Sequence, residues 1–416
     1  MSSREKQIKA SIDSKWFLKL RDIVPPLLIS SFKIEGGMYQ YQYNKFIGDR
    51  VNPDLKFITP DMEVINEKRS RLILLRHEII QFETNKAIAE QYVKKIDYYV
   101  MDIDLIIASI DKDWSSFEKI NELRFGNLDT DDLRSLVNSV KDNYGVFSNF
   151  ELSYKRTDLG VSKFDLANLG SQLKIDDLGD IDFKKIYQAE EICEIWNTQL
   201  KKIYPNWKCK ISSLSFNIRT YYRKSEIIIP KSIRLKGRRV ISLYMHEVMV
   251  HVHRREMGKA SKLQLLSIGL ADYSLAEEGL ALMHEQVVLN RKMFFGADRY
   301  IALGLALGDI DGIKRDFSQT FDSLQQYLYA RYCLRFDAEK ALNLSSKSAW
   351  RLCVKIFKGG NPSIPGCCLR KEKLYREGNK AMWNLFLNKS DIFGLWQYGK
   401  FNLLDEEQVL LVKTFY

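Results

Sequence analysis

Two histidines and two glutamates of this 416-residue chain have the residue types and the order of a catalytic metal site. Glu247 follows His246 directly, His251 comes five residues after His246, and Glu278 lies 27 residues beyond His251. Imidazole nitrogens and a carboxylate oxygen are the usual protein ligands of catalytic zinc, whose fourth position stays open for water. The pattern therefore predicts His246, His251 and Glu278 as zinc ligands. Glu247 is left to act as the general base that takes the proton of that water.

The five-residue step between the histidines sets a condition on the helix that carries them. On a regular α-helix of about 3.6 residues per turn, this step places two side chains about 140° apart, too far to share one metal ion. One extra residue in the helix, a π-bulge, returns them to the same face, and such bulges are frequent at functional sites. A straight helix would instead pair His246 with His253. We favour the bulged pair because it leaves Glu247 beside the metal.

The neighbouring residues are assigned supporting roles. Three of the five histidines lie within eight residues of an otherwise apolar segment, which packing alone does not explain. A glutamate buried there would be costly without a partner. Glu277 is predicted to hydrogen-bond a metal ligand. His284 is expected to support the site or to lie at the surface, and His77, in a charged helical stretch, to be structural.

Positive charge is concentrated around the histidine motif. The chain has a net charge of +11, and residues 208–262 contain fourteen Lys and Arg against three Glu, which also gives +11. A second basic stretch covers residues 351–376. Beside a hydrolytic metal, such a field favours an acidic peptide or a terminal carboxylate as the ligand. Nucleic acid is the alternative, but no recognised nucleic-acid motif accompanies the charge.

Hydrophobic patterns predict the elements that position these residues. Apolar periodicity indicates helices within residues 1–30 (closed by Pro25-Pro26), 62–98, 99–126, 130–142, 184–203, 239–257, 273–293 and 296–345. The helix over 239–257 carries the histidines and is predicted to end at Gly258. Alternation at 210–218 and 221–230 predicts two strands just before it. Residues 145–185, rich in Gly, Asp and Ser, are predicted to form a mobile connection.

Composition narrows the class of protein. An apolar run of about 18 residues, long enough for a membrane span, does not occur in the sequence. The six cysteines are scattered without a Cys-x-x-Cys pair and are predicted to be free thiols. The N-terminus leads into a charged helical pattern rather than an apolar signal region. A cytoplasmic protein without a membrane anchor is expected.

With these residues in place, the chain resembles a family of metallopeptidases defined by an HExxxH helix and a downstream (Q/E)EGLA motif. The family includes microtubule-associated tyrosine carboxypeptidases and bacterial QEGLA-motif proteins. The residues that carry the resemblance are Asn52-Pro53 and Phe57, His246-Glu247, His251, Gly258, Gly269-Leu270, Tyr273, Glu277-Glu278-Gly279-Leu280-Ala281, and Tyr398-Gly399-Lys400-Phe401. A late family motif is met loosely by Leu369-Arg370-Lys371-Glu372 with Tyr375 and Gly378.

The resemblance implies a zinc carboxypeptidase. It gives His246, His251 and Glu278 as ligands and Glu247 as base and acid, and it implies removal of a C-terminal residue, tyrosine or another aromatic. This chain departs from the family at Val248-Met249-Val250, where small residues are common, and at Arg370 and Glu372, where Thr and Asp are usual. These departures bear on substrate preference. A carboxypeptidase also needs a cation for the terminal carboxylate, and Arg223, Arg351 and Lys371 are the candidates.

The predicted fold is a helix-rich, zincin-like α+β metallopeptidase with a small sheet before the zinc-binding helix. Residues 1–200 are predicted to form a mostly helical part and residues 201–416 the catalytic part, packed as one integrated domain. The predicted partner is an acidic peptide or protein C-terminal tail. Three alternatives stay open: an endopeptidase of the same fold, a regulatory protein that has lost turnover, and a nucleic-acid-binding protein.

Overall fold

The computed structural model describes residues 11–24, 33–34, 38–58, 60–147, 166, 169–170, 181–213 and 217–415. Most of the predicted mobile connection over residues 145–185 lies outside these residues, as does the Pro25-Pro26 step. The described part is rich in helices and contains three small sheets, which confirms the predicted α+β class.

Helices dominate the described residues before position 150. They are α1 (Ser14–Ile23), α2 (Met38–Asp49), α3 (Met62–Phe82), α4 (Lys86–Ile110), α5 (Trp114–Phe125) and α6 (Thr130–Tyr144). The helix predicted over 62–98 is divided, because Asn85 leaves helical geometry and its side chain accepts the amide hydrogen of Ile88 at the start of α4. Asp113 caps α5 in the same way. Such side-chain caps satisfy the amide groups that a helix leaves open at its N-terminus.

The strands form three separate sheets in the described residues. They are β1 (Lys33–Ile34), β2 (Phe57–Ile58), β3 (Ile186–Gln188), β4 (Lys208–Ser212), β5 (Arg219–Tyr221), β6 (Glu226–Pro230) and β7 (Arg234–Lys236). β1 pairs with β2, β3 pairs with β7, and the third sheet has the order β4-β6-β5. β4 runs parallel to β6, whereas β5 runs antiparallel to it. The second predicted strand, over 221–230, is divided by a turn that contains Ser225 at a φ of 50°.

The two histidines lie in the middle of a helix that is interrupted by π geometry. α7 (Ala189–Ile203) precedes the three-stranded sheet, and α8 (Gly237–Tyr244), a π-helix (Met245–Val252) and α9 (His253–Ala260) follow one another without a break. The predicted end at Gly258 is wrong by two residues. A Cβ there would lie 2.4 Å from the carbonyl carbon of Leu266, so this glycine permits close packing instead of ending the helix.

Seven further helices complete the described chain. They are α10 (Tyr273–Leu289), α11 (Ala297–Leu307), α12 (Phe317–Cys333), α13 (Ala338–Ile356), α14 (Leu374–Asn388), α15 (Ser390–Phe393) and α16 (Glu406–Lys413). Short 3-10 helices cover Gln264–Ser267, Arg370–Lys373 and Gly394–Tyr398. α10 and α14 touch backbone to backbone, because a Cβ on Gly279 would lie 2.2 Å from the carbonyl oxygen of Gly378. This contact brings α14 against the helix that carries Glu278.

The main hydrophobic core contains residues from both sides of position 200. Ile65 and Ile106 from the N-terminal helices belong to the same buried cluster as Val248, Leu280 and Trp383. The boundary between the two predicted parts itself stays a prediction. Among the described residues, no helix is both long and apolar enough to cross a membrane.

Candidate metal centre

The π-helix places the two histidines of the motif on one side. It spans Met245–Val252 and so contains both His246 and His251. In π geometry, residues five apart in sequence take the place that residues four apart take in an α-helix. This confirms the departure from regular α-helix that the five-residue spacing predicted.

His246, His251 and Glu278 converge on one point. One nitrogen of each ring and one carboxylate oxygen all lie within 4.8 Å of one another. His246 Nε2 is 4.0 Å from Glu278 Oε2, and the two imidazole centroids are 4.9 Å apart. In the part of the chain that the structure describes, this is the one group of three or more His, Cys, Asp and Glu side chains that could hold a metal ion.

A buried carboxylate lies within ion-pair distance of the outer nitrogen of each ring, and the Glu277–His251 pair also has hydrogen-bond geometry. His251 Nδ1 lies 2.8 Å from Glu277 Oε1, and His246 Nδ1 lies 2.7 Å from Glu285 Oε1. Both carboxylates are 3% exposed. Carboxylates behind metal-binding histidines fix the tautomer and the orientation of the ring. The Nε2 atoms are therefore left to face the common point.

These residues fit a metal ion. Burial would lower the pKa of His246, but Glu285, Glu247 and Glu278 raise it to about 9, which shows that the surroundings favour positive charge. The Glu278 side chain is 24% exposed, so the group has an open side that water can reach. Two imidazoles, one carboxylate and a water position form the donor set of catalytic zinc.

Glu247 is near the group without being part of it. Its Oε2 accepts a hydrogen bond of 2.7 Å from the Thr220 hydroxyl. Thr220 lies on β5, where it is paired with Ile227 of the central strand β6. The sheet edge thus orients the carboxylate that was predicted to be the general base.

Two buried cations contact the Glu277 carboxylate. Lys400 Nζ donates to Glu277 Oε1, and Arg254 Nη1 donates to Glu277 Oε2 at 3.3 Å. Burial would raise the pKa of Glu277, but Lys400, the His251 hydrogen bond and Arg254 lower it to about 2. Glu277 therefore stays ionised and serves His251 as an acceptor, which agrees with the supporting role that was predicted for it.

The Tyr375 phenol lies near enough to Glu278 to be affected by the charge of its carboxylate. The Glu278 carboxylate is the main reason that the pKa of this phenol is raised, and burial adds to the effect. The Arg299 guanidinium stacks over the Tyr375 ring at 4.0 Å and pairs with Glu372 at 2.8 Å. A phenol that keeps its proton beside the metal group can donate a hydrogen bond to a bound substrate.

His253 and His284 have partners outside the ligand group. His253 Nδ1 is 2.6 Å from the Tyr204 hydroxyl, so the straight-helix alternative that paired His253 with His246 is not supported. Burial lowers the pKa of His253 to about 4. His284 is 1% exposed, which excludes the surface position considered for it. Its Nδ1 is bonded to the Leu280 carbonyl oxygen at 2.8 Å.

The three candidate cations for a terminal carboxylate are not brought together. Arg223 is exposed and donates to the carbonyl oxygen of Val24, just after α1. Arg351 is exposed on α13. Lys371 lies in the 3-10 helix Arg370–Lys373, next to the Glu372 that pairs with Arg299. Of the three, Lys371 is on the segment that leads to Tyr375 and the metal group.

Sequence reasoning missed several residues of the centre. Glu285 had a signal, since it lies seven residues after Glu278 on α10, and two helical turns return to about the same face. Lys400 belongs to the motif Tyr398-Gly399-Lys400-Phe401, but the motif alone does not indicate a role for it. Thr220 and Arg254 carried no pattern that could assign them, because only packing brings them to Glu247 and Glu277.

The fold and the site together define a helix-rich α+β protein with a His–His–Glu group that could hold a metal. The model of the microtubule-associated tyrosine carboxypeptidase family matches residues 141–411, which is more than half of the chain. The protein therefore belongs to this family, whose members are named as carboxypeptidases. No curated protein and no solved structure matches the chain.

Proposed function

We propose that the protein is a zinc-dependent carboxypeptidase that removes a C-terminal tyrosine or other aromatic residue from an acidic peptide or protein tail. The observation that carries this proposal is the convergence of His246, His251 and Glu278 within 4.8 Å, with Glu247 held nearby but outside the group. Membership of the tyrosine carboxypeptidase family supports the reaction class.

Zinc at this point would polarise the scissile carbonyl and lower the pKa of bound water towards about 7. Glu247 would act as the base that takes a proton from the attacking water and gives it to the leaving amine, and the Thr220 hydroxyl keeps its carboxylate in place. Glu277 and Glu285 hold the two imidazole rings from behind. Tyr375 offers its hydroxyl to an oxygen of the substrate.

Positive charge near Lys371 supports an acidic tail as the substrate. Burial lowers the pKa of Lys358, and the charges of Arg219 and Lys371 lower it further while Glu372 raises it, so Arg219 and Lys371 each lie near Lys358. Arg219 directly precedes Thr220. We assign the terminal carboxylate to this side of the site, with Lys371 and Arg219 as its partners. Arg351 and Arg223 are the more remote candidates.

The proposed location is the cytoplasm. All six cysteines are free, and disulfides are rare in that compartment. The many Lys and Arg residues over positions 208–262 also suit nucleic acid as a partner. The glutamates and histidines of the centre would have no part in that function. We therefore propose a protein tail as the partner, with nucleic acid as the less well supported alternative.

The deciding experiment uses one acidic peptide that ends in tyrosine, with either a free or an amidated C-terminus. Release of tyrosine from the free form alone is expected, with loss on chelation and recovery on adding zinc. Equal cleavage of both forms, or cuts well inside the peptide, would make the protein an endopeptidase. Metal binding without any cleavage would indicate a regulatory protein.

A further inference from the structure

Glu277 connects a metal-site histidine to the C-terminal segment of the chain. Its Oε1 receives His251 Nδ1 at 2.8 Å and also the Lys400 ammonium. Lys400 is 1% exposed, and its Nζ also donates to the Tyr222 hydroxyl at 2.9 Å. The ammonium is thus enclosed among the Glu277 and Tyr222 oxygens, 123 residues along the chain from Glu277.

The backbone on both sides of Lys400 is held in place. The Lys400 amide donates to the Leu266 carbonyl oxygen, and the Leu270 amide donates to the Lys400 carbonyl oxygen, both at 2.9 Å. Gly399 has a φ of 135°, and a Cβ there would lie 2.9 Å from Leu266 Cβ. Glycine is required at this position for both reasons. The side chain of Lys400 therefore starts from a fixed point.

Arg254 completes this arrangement. Its Nε donates to the Gly399 carbonyl oxygen at 2.8 Å and its Nη2 to that of Phe401 at 2.7 Å. Its Nη1 reaches the second oxygen of Glu277 at 3.3 Å. One buried arginine thus binds both the segment that carries Lys400 and the carboxylate that Lys400 contacts.

We propose that Lys400 is a positioning residue of the metal centre, which fixes the Glu277 carboxylate and through it the orientation of His251. This inference rests on the proposed function, because it concerns the affinity of the centre for zinc. An ammonium that is buried without well-placed partners destabilises the fold strongly, so packing alone does not account for a lysine at position 400. Substituting the residue that holds the outer nitrogen of a metal-binding histidine typically weakens metal binding by about 10–100-fold.

The carboxylate behind the other histidine is paired with a less enclosed cation. Glu285, behind His246, pairs with Arg239, whose side chain is part-exposed, whereas both cations behind Glu277 are fully buried. The C-terminal segment therefore serves the His251 side of the centre in particular. A change at Lys400 should act on His251 and leave His246 in place.

The test measures the zinc dissociation constant of the full-length protein by competition with a chromophoric chelator, for wild type, Lys400→Met and Lys400→Gln. Lys373→Met is the matched control, because Lys373 is another buried lysine but donates to the Asn127 carbonyl oxygen and pairs with Glu377. We expect about 10–100-fold weaker binding in both Lys400 variants and no change in the control. The visible spectrum of the Co²⁺-loaded protein should shift in the same variants.

Unchanged zinc affinity and Co²⁺ spectrum in folded Lys400 variants would overturn the inference while leaving the proposed function intact. If neither Lys400 variant folds, even with excess zinc, Lys400 is needed for general stability and the inference is again wrong. A wild type that binds no zinc would refute the proposed function, and the positioning role with it.

Discussion

Glu285 Oε1 lies 2.7 Å from His246 Nδ1, and this pair repeats on the other histidine the contact that Glu277 makes with His251. All three glutamates of this arrangement, including Glu278, belong to α10. One helix therefore supplies a candidate ligand and the supports for both candidate histidine ligands. This arrangement makes the centre depend on how α10 packs against the π-helix.

Glu285→Gln should weaken zinc binding by about tenfold, because an amide holds the imidazole less firmly than a carboxylate does. Competition with a chromophoric chelator measures the change. Glu226→Gln is the control, since Glu226 is another buried carboxylate but pairs with Lys210 at 2.6 Å. An unchanged zinc affinity after Glu285→Gln would mean that the pair has no part in metal binding.

The π-helix leads to a prediction about which histidines bind the metal. His246→Ala, His251→Ala and Glu278→Ala should each remove zinc from the dialysed protein, as measured by atomic emission. His253→Ala should keep it, because the His253 ring is bonded to Tyr204 instead. The reverse result at positions 251 and 253 would contradict the proposed ligand set and favour a straight helix.

Sequence motifs were enough to predict that His246, His251 and Glu278 come together. His246 and His251 lie in one helix, so the hypothesis that they share one metal ion required π geometry between them, and π geometry is found. Glu278 and Glu277 could be named from their own motif. The residues that hold this group could not, because Lys400 and Thr220 reach it from distant segments. Such contacts depend on tertiary packing, which local sequence periodicity does not indicate.

The sheet shows the same division between local and distant information. Alternation predicted strands near β4 and β6, but not their parallel pairing. β5 lies between β4 and β6 in sequence but at an edge of the sheet, next to β6. The parallel pairing of β4 with β6 therefore depends on how the chain folds between them, which alternation in a single strand does not indicate. Thr220, on β5, is for this reason the partner of Glu247 that sequence could not indicate.

Glu247→Gln should keep zinc and the fold but lose most hydrolysis, by about 100-fold or more, since an amide cannot accept the proton of water. Tyrosine release from the acidic peptide and zinc content are measured on the same sample. Thr220→Val, which removes only the hydrogen bond to Glu247, should cause a smaller loss. Activity near the wild-type level in Glu247→Gln would assign the base to another residue.

Lys95 allows a prediction about stability and pH. Burial lowers the pKa of this lysine from 10.5 to about 7, and Arg124 and Lys400 act in the same direction. Between pH 7 and 10.5 the unfolded chain therefore binds a proton that the folded chain does not, so this residue makes stability rise with pH. Below pH 7 the burial of its charge costs the most.

Lys95→Met should consequently stabilise the protein most at or below pH 7, and the advantage should shrink by about 1.4 kcal/mol per pH unit from pH 7 towards 10. Urea unfolding of both proteins at several pH values measures the difference, in which the titration of groups that do not interact with Lys95 cancels. Lys94→Met is the control on the same helix, because hydrogen bonds from Lys94 to Glu407 and Glu90 raise the pKa of that lysine. Lys94 stays charged over this range, so its removal should give no such slope. If the difference in unfolding free energy between wild type and Lys95→Met is constant with pH, the pKa of Lys95 is not lowered. The Lys95 ammonium is then better solvated in the core than its burial indicates.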